Sequence, residues 1–98
     1  MAFESGALDA TLAAAAGDDA ALLSELRSAF LDSAMRQVDL LGRSRCDGNW
    51  TVAAMRLKGL AASFHAEEVM NLAQAALDGV PGDPAVIRQI TTALQKFC

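Results

Sequence analysis

Three clusters of helix-breaking residues cut this chain into stretches too long for ordinary strands and well matched to helices. They are Gly17-Asp18-Asp19, the run from Gly42 through Asn49 with its Cys-Asp-Gly-Asn turn chemistry, and Asp78-Gly79-Val80-Pro81-Gly82-Asp83-Pro84. Between the breakers, apolar residues recur every three or four positions, which is the period of a helix face. Composition supports this: 21 alanines and 13 leucines stand against 11 Val, Ile and Thr together. Such a mixture favours helices and leaves little of the β-branched material that strands prefer.

The four stretches hold five helical segments, the third stretch holding two that meet at His65. The first runs from about Ser5 to Ala16, with Leu8 and Leu12 four apart and an alanine run, Ala13 to Ala16, that reads as a close-packing surface. The second opens at Asp18 or Asp19 as N-cap and lines up Leu22, Leu23, Leu26, Phe30, Ala34, Val38 and Leu41 before Gly42 ends it. The third sets Trp50, Ala53, Leu57, Leu60 and Phe64 in the narrow seam of a bundle helix. The fourth, from about Ala66 to Leu77, has Glu67 and Glu68 at its positive end and Val69, Leu72, Ala73 and Ala76 on one face. The fifth has Asp83 as N-cap and Pro84 at the first helical position, followed by Val86, Ile87, Ile90, Leu94 and Phe97. Short connections make neighbouring helices antiparallel. The expected fold is therefore all-α: an up-down-up-down four-helix bundle with a short N-terminal capping helix laid on one end, forming a single domain over residues 1–98.

Several functions are disfavoured at this level. The formal net charge of -4 leaves no broad basic surface for nucleic acid. Cys46 and Cys98 lie far apart, with no second Cys or His at ligand spacing, so neither a metal site nor a disulfide framework is expected. Charge-free runs such as Ala10 to Gly17 are far shorter than the roughly 20 residues of a membrane span, and no basic leader precedes an apolar segment. A cytoplasmic protein without a cofactor is the expectation. No phosphate loop or nucleophile elbow occurs. The adjacent Glu67 and Glu68 point about 100° apart on a helix, which suits a helix start better than a catalytic pair.

The third segment carries more than a core seam. With Leu57 at zero on a helical wheel, Trp50, Ala53, Leu60, Ala61 and Phe64 fall within roughly 60° of it. Met55 falls about 160° away, beside Val52, Gly59 and Ala62, with Arg56 and Lys58 on the flanks. A mid-helix glycine costs about 1 kcal/mol relative to alanine and asks for a compensating reason. Either a neighbouring helix of the same bundle approaches Gly59 closely, or a separate partner docks on it. Arg43 and Arg45 bring further positive charge near this helix and otherwise read as loop charges.

The stretch Ala54-Met55-Arg56-Leu57-Lys58-Gly59-Leu60-Ala61-Ala62-Ser63-Phe64 resembles the signature of histidine-containing phosphotransfer (HPt) domains, Ala-His-x-Leu-Lys-Gly-x-Ala-x-Ser-hydrophobic, at every place but one. The Gly17-Asp18-Asp19 opening, the Leu22 to Phe30 helix, Leu72-Ala73 and the Pro81-Gly82-Asp83-Pro84 turn are also similar to the family, so the likeness covers nearly the whole chain. It implies a phosphorelay protein whose partner is a response-regulator receiver domain, or a hybrid histidine kinase. It also implies that the site centres on position 55, with Lys58 balancing phosphate charge and Gly59 leaving room for the receiver.

Methionine stands where the phosphorylated histidine belongs, and its thioether has no basic lone pair able to hold a phosphoryl group. No catalytic residue remains, and the protein is not expected to be an enzyme. The expectation is a pseudo-phosphotransfer module that docks receivers through Val52, Met55, Arg56, Lys58, Gly59 and Ala62. Three alternatives stay open: an active protein whose histidine was replaced at Met55, one whose phosphosite moved to His65, and a plain helical interaction module or homodimer. His65 is the one histidine in the chain, and it stands at a helix junction, where unusual backbone angles or a helix cap explain it better than a relocated phosphosite does.

Overall fold

The computed structural model describes residues 2–17 and 19–97, with residues 2–8 described as backbone only. Among these are five helices and no strand: α1 (Ala2–Ala16), α2 (Ala20–Arg43), α3 (Asp47–Ser63), α4 (Glu67–Asp78) and α5 (Pro84–Gln95). The starts of α2 and α5 have a local chemical cause. Asp19 caps α2, its carboxylate accepting from the Leu22 amide at 3.0 Å. Asp18, the other candidate cap, lies outside the described residues, as do Cys98 and the Leu8 side chain. Asp83 caps α5 by accepting from the Ala85 amide at 2.9 Å, and Pro84 occupies the first turn as expected.

Two boundaries differ from the sequence reading. Gly42 does not end α2, which runs on to Arg43. The stop is made by Ser44, whose amide and hydroxyl both donate to the Leu41 carbonyl, at 3.2 and 2.8 Å. Asp47, Gly48 and Asn49, expected in a loop, form the first turn of α3, where the Trp50 amide donates to the Cys46 carbonyl at 3.2 Å. The Asp47 carboxylate at the positive end of that helix offsets the poor helix propensity of its glycine neighbour.

Helix α2 packs on α3 and α5, and α4 packs on the same two, so four helices close a cycle of contacts. The links between them, residues 44–46, 64–66 and 79–83, are short. The core they enclose includes Phe30, Ala34, Val38 and Leu41 of α2, Trp50, Leu57 and Ala61 of α3, Val69 and Ala73 of α4, and Ile90 and Leu94 of α5, with Phe97 just beyond. Leu23, Leu26, Leu60, Phe64, Leu72 and Ile87 are partly buried around it. Leu22, placed on the buried stripe by spacing, is exposed instead. Phe30, in the middle of α2, meets residues just past the ends of α3 and α5, its ring 5.0 Å from Phe64 and 6.0 Å from Phe97.

Helix α1 is 15 residues long, and its substantial contacts are with α2. Leu12 is buried, and Asp9 forms an ion pair with Arg27. The alanine run is not a packing surface: Ala13, Ala14 and Ala15 are exposed and serve helix propensity alone. No helix among the described residues is long and apolar enough to cross a membrane.

A candidate docking surface on the third helix

Helix α3 is apolar on two faces. Its inner face is fixed by Trp50, whose ring is buried and whose indole N–H donates to the Ala76 carbonyl at 2.9 Å. That carbonyl belongs to the last turn of α4 and has no acceptor role within its own helix, so the bond satisfies an orphan group while tying α3 to α4. Ala54, adjacent to Met55, is fully buried with Ala53 and Ala61, and these small residues let α3 and α4 pack closely.

The opposite face is open to solvent. Met55 is 59% exposed and Val52 46%, and Gly59 and Ala62 are exposed beside them. A Cβ placed on Gly59 would meet nothing within 4 Å. Close approach of a neighbouring helix, the internal explanation for this glycine, is therefore excluded by the geometry. A helix face with an exposed thioether, a valine, an alanine and a bare stretch of backbone forms a shallow apolar strip open to solvent.

The two flanking cations are treated differently by the fold. Lys58 lies on the α4 side, half-buried, and its ammonium donates to Gln74 Oε1 at 2.6 Å. The Gln74 amide in turn donates to Asp78 Oδ1 at 2.9 Å. The direct partner of Lys58 is thus a neutral amide, which holds the ammonium in place without cancelling its charge. Arg56 is exposed on the α2 side, next to an open groove that also involves Arg43. Arg43 lies in the last turn of α2, not in a loop, and pairs with Asp39 at 3.1 Å; Arg45 is exposed in the link.

His65 is exposed and has φ +58°, the left-handed region that few side chains enter. The amide of His65 donates to Ala62 O at 3.2 Å and that of Ala66 to Ala61 O at 2.8 Å, the paired bonds that close a helix C-terminus around a left-handed residue. The backbone at this position is thus accounted for by the helix stop. Glu68 accepts from Lys96 Nζ at 2.9 and 3.1 Å, joining the start of α4 to the end of α5. The spacing argument therefore places Val52, Met55, Gly59 and Ala62 on one strip with Arg56 and Lys58 on its two edges, and leaves His65 apart. It missed Gln74, Leu40 and Asn49, because their relation to α3 arises only when the helices pack.

Comparison with protein-family models, with curated proteins and with solved structures finds no match.

Proposed function

We propose that this chain is a pseudo-phosphotransfer module of HPt type. Its helices α2 to α5 form an antiparallel up-down-up-down bundle, and the outer face of α3 docks response-regulator receiver domains without accepting phosphate. The observation that carries this reading is Gly59: a residue unfavourable in a helix, on an exposed apolar strip, with no internal contact that requires its lack of a side chain. Further support comes from the resemblance of residues 54–64 to the family signature, from the exposure of Met55 at the one departure from it, and from a lysine held nearby on a neutral partner.

The module acts by occupancy. A receiver bound on the strip has its phosphoaspartate covered or its conformational equilibrium shifted, the latter to the extent that the strip binds one receiver state better than the other. Methionine preserves the apolar contact and removes the nucleophile.

The test is intact-mass analysis of the protein and of Met55→His after incubation with phosphorylated receiver domains, in conditions that preserve phosphohistidine. Phosphate on the variant alone is the expected result. Phosphate on the unaltered protein would overturn the proposal and point to His65. Phosphate on neither, with no receiver binding, would leave a helical interaction module of another kind.

A further inference from the structure

The apolar strip does not end at α3. Between the C-terminal turns of α2 and the N-terminal half of α3 lies an open groove of about 490 Å³, with Leu40 and Val52 on its walls and Arg43, Asn49 and Arg56 at its margin. Leu40 and Val52 are 45% and 46% exposed, so the groove is apolar at its centre and wet at its edge.

Charge is concentrated here against the trend of the molecule. Residues 43–58 hold four of the eight basic side chains, Arg43, Arg45, Arg56 and Lys58, and one acid, Asp47, leaving four basic against 11 acidic residues elsewhere. Among the described residues no carboxylate pairs with Arg56. Arg43 has Asp39, but both side chains are mostly solvent-exposed, and such a pair exchanges partners at little cost. A second copy of the chain is a poor occupant, because a two-fold contact through α3 would set Arg56 and Lys58 against their own kind.

We infer that the groove between Leu40 and Val52 is the specificity-determining part of the docking surface. It takes an apolar side chain from an amphipathic helix of the receiver that carries an acidic residue one turn away, and the carboxylate meets Arg56 and Arg43. This rests on the receiver-docking reading and adds an orientation to it. The α2 side of the strip offers solvent-exposed guanidinium groups, whereas the α4 side offers a half-buried ammonium bonded to Gln74. The acidic end of the partner helix therefore lies over α2.

The experiment is titration of the full chain with receiver domains by calorimetry, comparing Leu40→Ser, Arg56→Glu and Gly59→Glu, with Arg88→Glu on α5 as a control. Exposed positions such as these leave helical content unchanged by circular dichroism. Leu40→Ser should weaken binding about tenfold and Arg56→Glu by about tenfold or more, with a flatter salt dependence for Arg56→Glu, and Arg88→Glu should change nothing. Loss of binding in Gly59→Glu with full affinity in Leu40→Ser and Arg56→Glu would overturn the groove and leave the docking strip standing. Absence of receiver binding by the unaltered chain would overturn both. A dimer in sedimentation that Leu40→Ser dissociates would make a second copy the occupant and overturn the acidic-helix assignment.

Discussion

At the scale of single residues, the most informative side chain is the one that Gly59 lacks. The chain bears the cost of a glycine in the interior of a 17-residue helix, and nothing inside the molecule requires it. Gly59→Ala should therefore raise stability by about 1 kcal/mol, since alanine restores helix propensity and its methyl group enters open space. In thermal unfolding the midpoint should rise by about 4–8 °C, as expected for a domain of this size. The same methyl group stands on the strip proposed to dock receivers, so under that proposal receiver affinity should fall as stability rises, a trade-off typical of sites shaped for binding. A variant that is less stable would mean that another helix reaches this position in solution. His65 is the contrasting case at this scale: its backbone, bonded through Ala62 and Ala66, closes α3 whatever its imidazole does.

At the scale of elements, what could be read from the sequence depends on how local its cause is. The caps Asp19 and Asp83, the Pro84 start and the outward turn of Met55 follow from residues within one or two turns of each other, and all stand where periodicity and capping rules place them. The end of α2 was misread at Gly42 because the stop depends on the Ser44 hydroxyl reaching back to Leu41, a bond with no composition signal. The start of α3 was placed too late because Gly48 and Asn49 look like a turn until Asp47 and Cys46 supply the helix entry. Contacts between helices were out of reach altogether: Lys58 to Gln74 spans 16 residues and Trp50 to Ala76 spans 26. The latter bond ties α3 to the last turn of α4, and it can be tested alone. Trp50→Phe keeps an aromatic ring in the core but removes the donor from the last turn of α4, and should cost about 1–3 kcal/mol in urea unfolding. Amide exchange should quicken first around residues 75–78; uniform acceleration across all helices would show that lost packing, not the lost bond, dominates.

At the scale of the whole molecule, α3 divides the chain into a part that holds the fold and a part that is free to bind. The first is concentrated where Phe30 meets Phe64 and Phe97, joining α2, the end of α3 and the segment after α5. Phe30 is 1% exposed, so truncating it leaves a cavity that three elements cannot easily close. Phe30→Ala should cost about 3–5 kcal/mol, a large share of the about 5–15 kcal/mol that holds a domain of this size together. The second part should be energetically silent in the isolated chain. Met55→Glu exchanges one exposed side chain for another on a helix, both good helix formers, and should move stability by no more than about 0.5 kcal/mol. Denaturant unfolding of the two variants side by side is a test of the division itself. A large loss for Phe30→Ala beside a negligible one for Met55→Glu means that the apolar outer face of α3 contributes nothing to folding, so its composition requires a cause outside the folded monomer. A large loss for both would mean that Met55 is covered in solution. If that loss diminished on dilution of the unaltered protein, the cover would be a second copy, and the strip would hold the protein to itself instead of to a receiver.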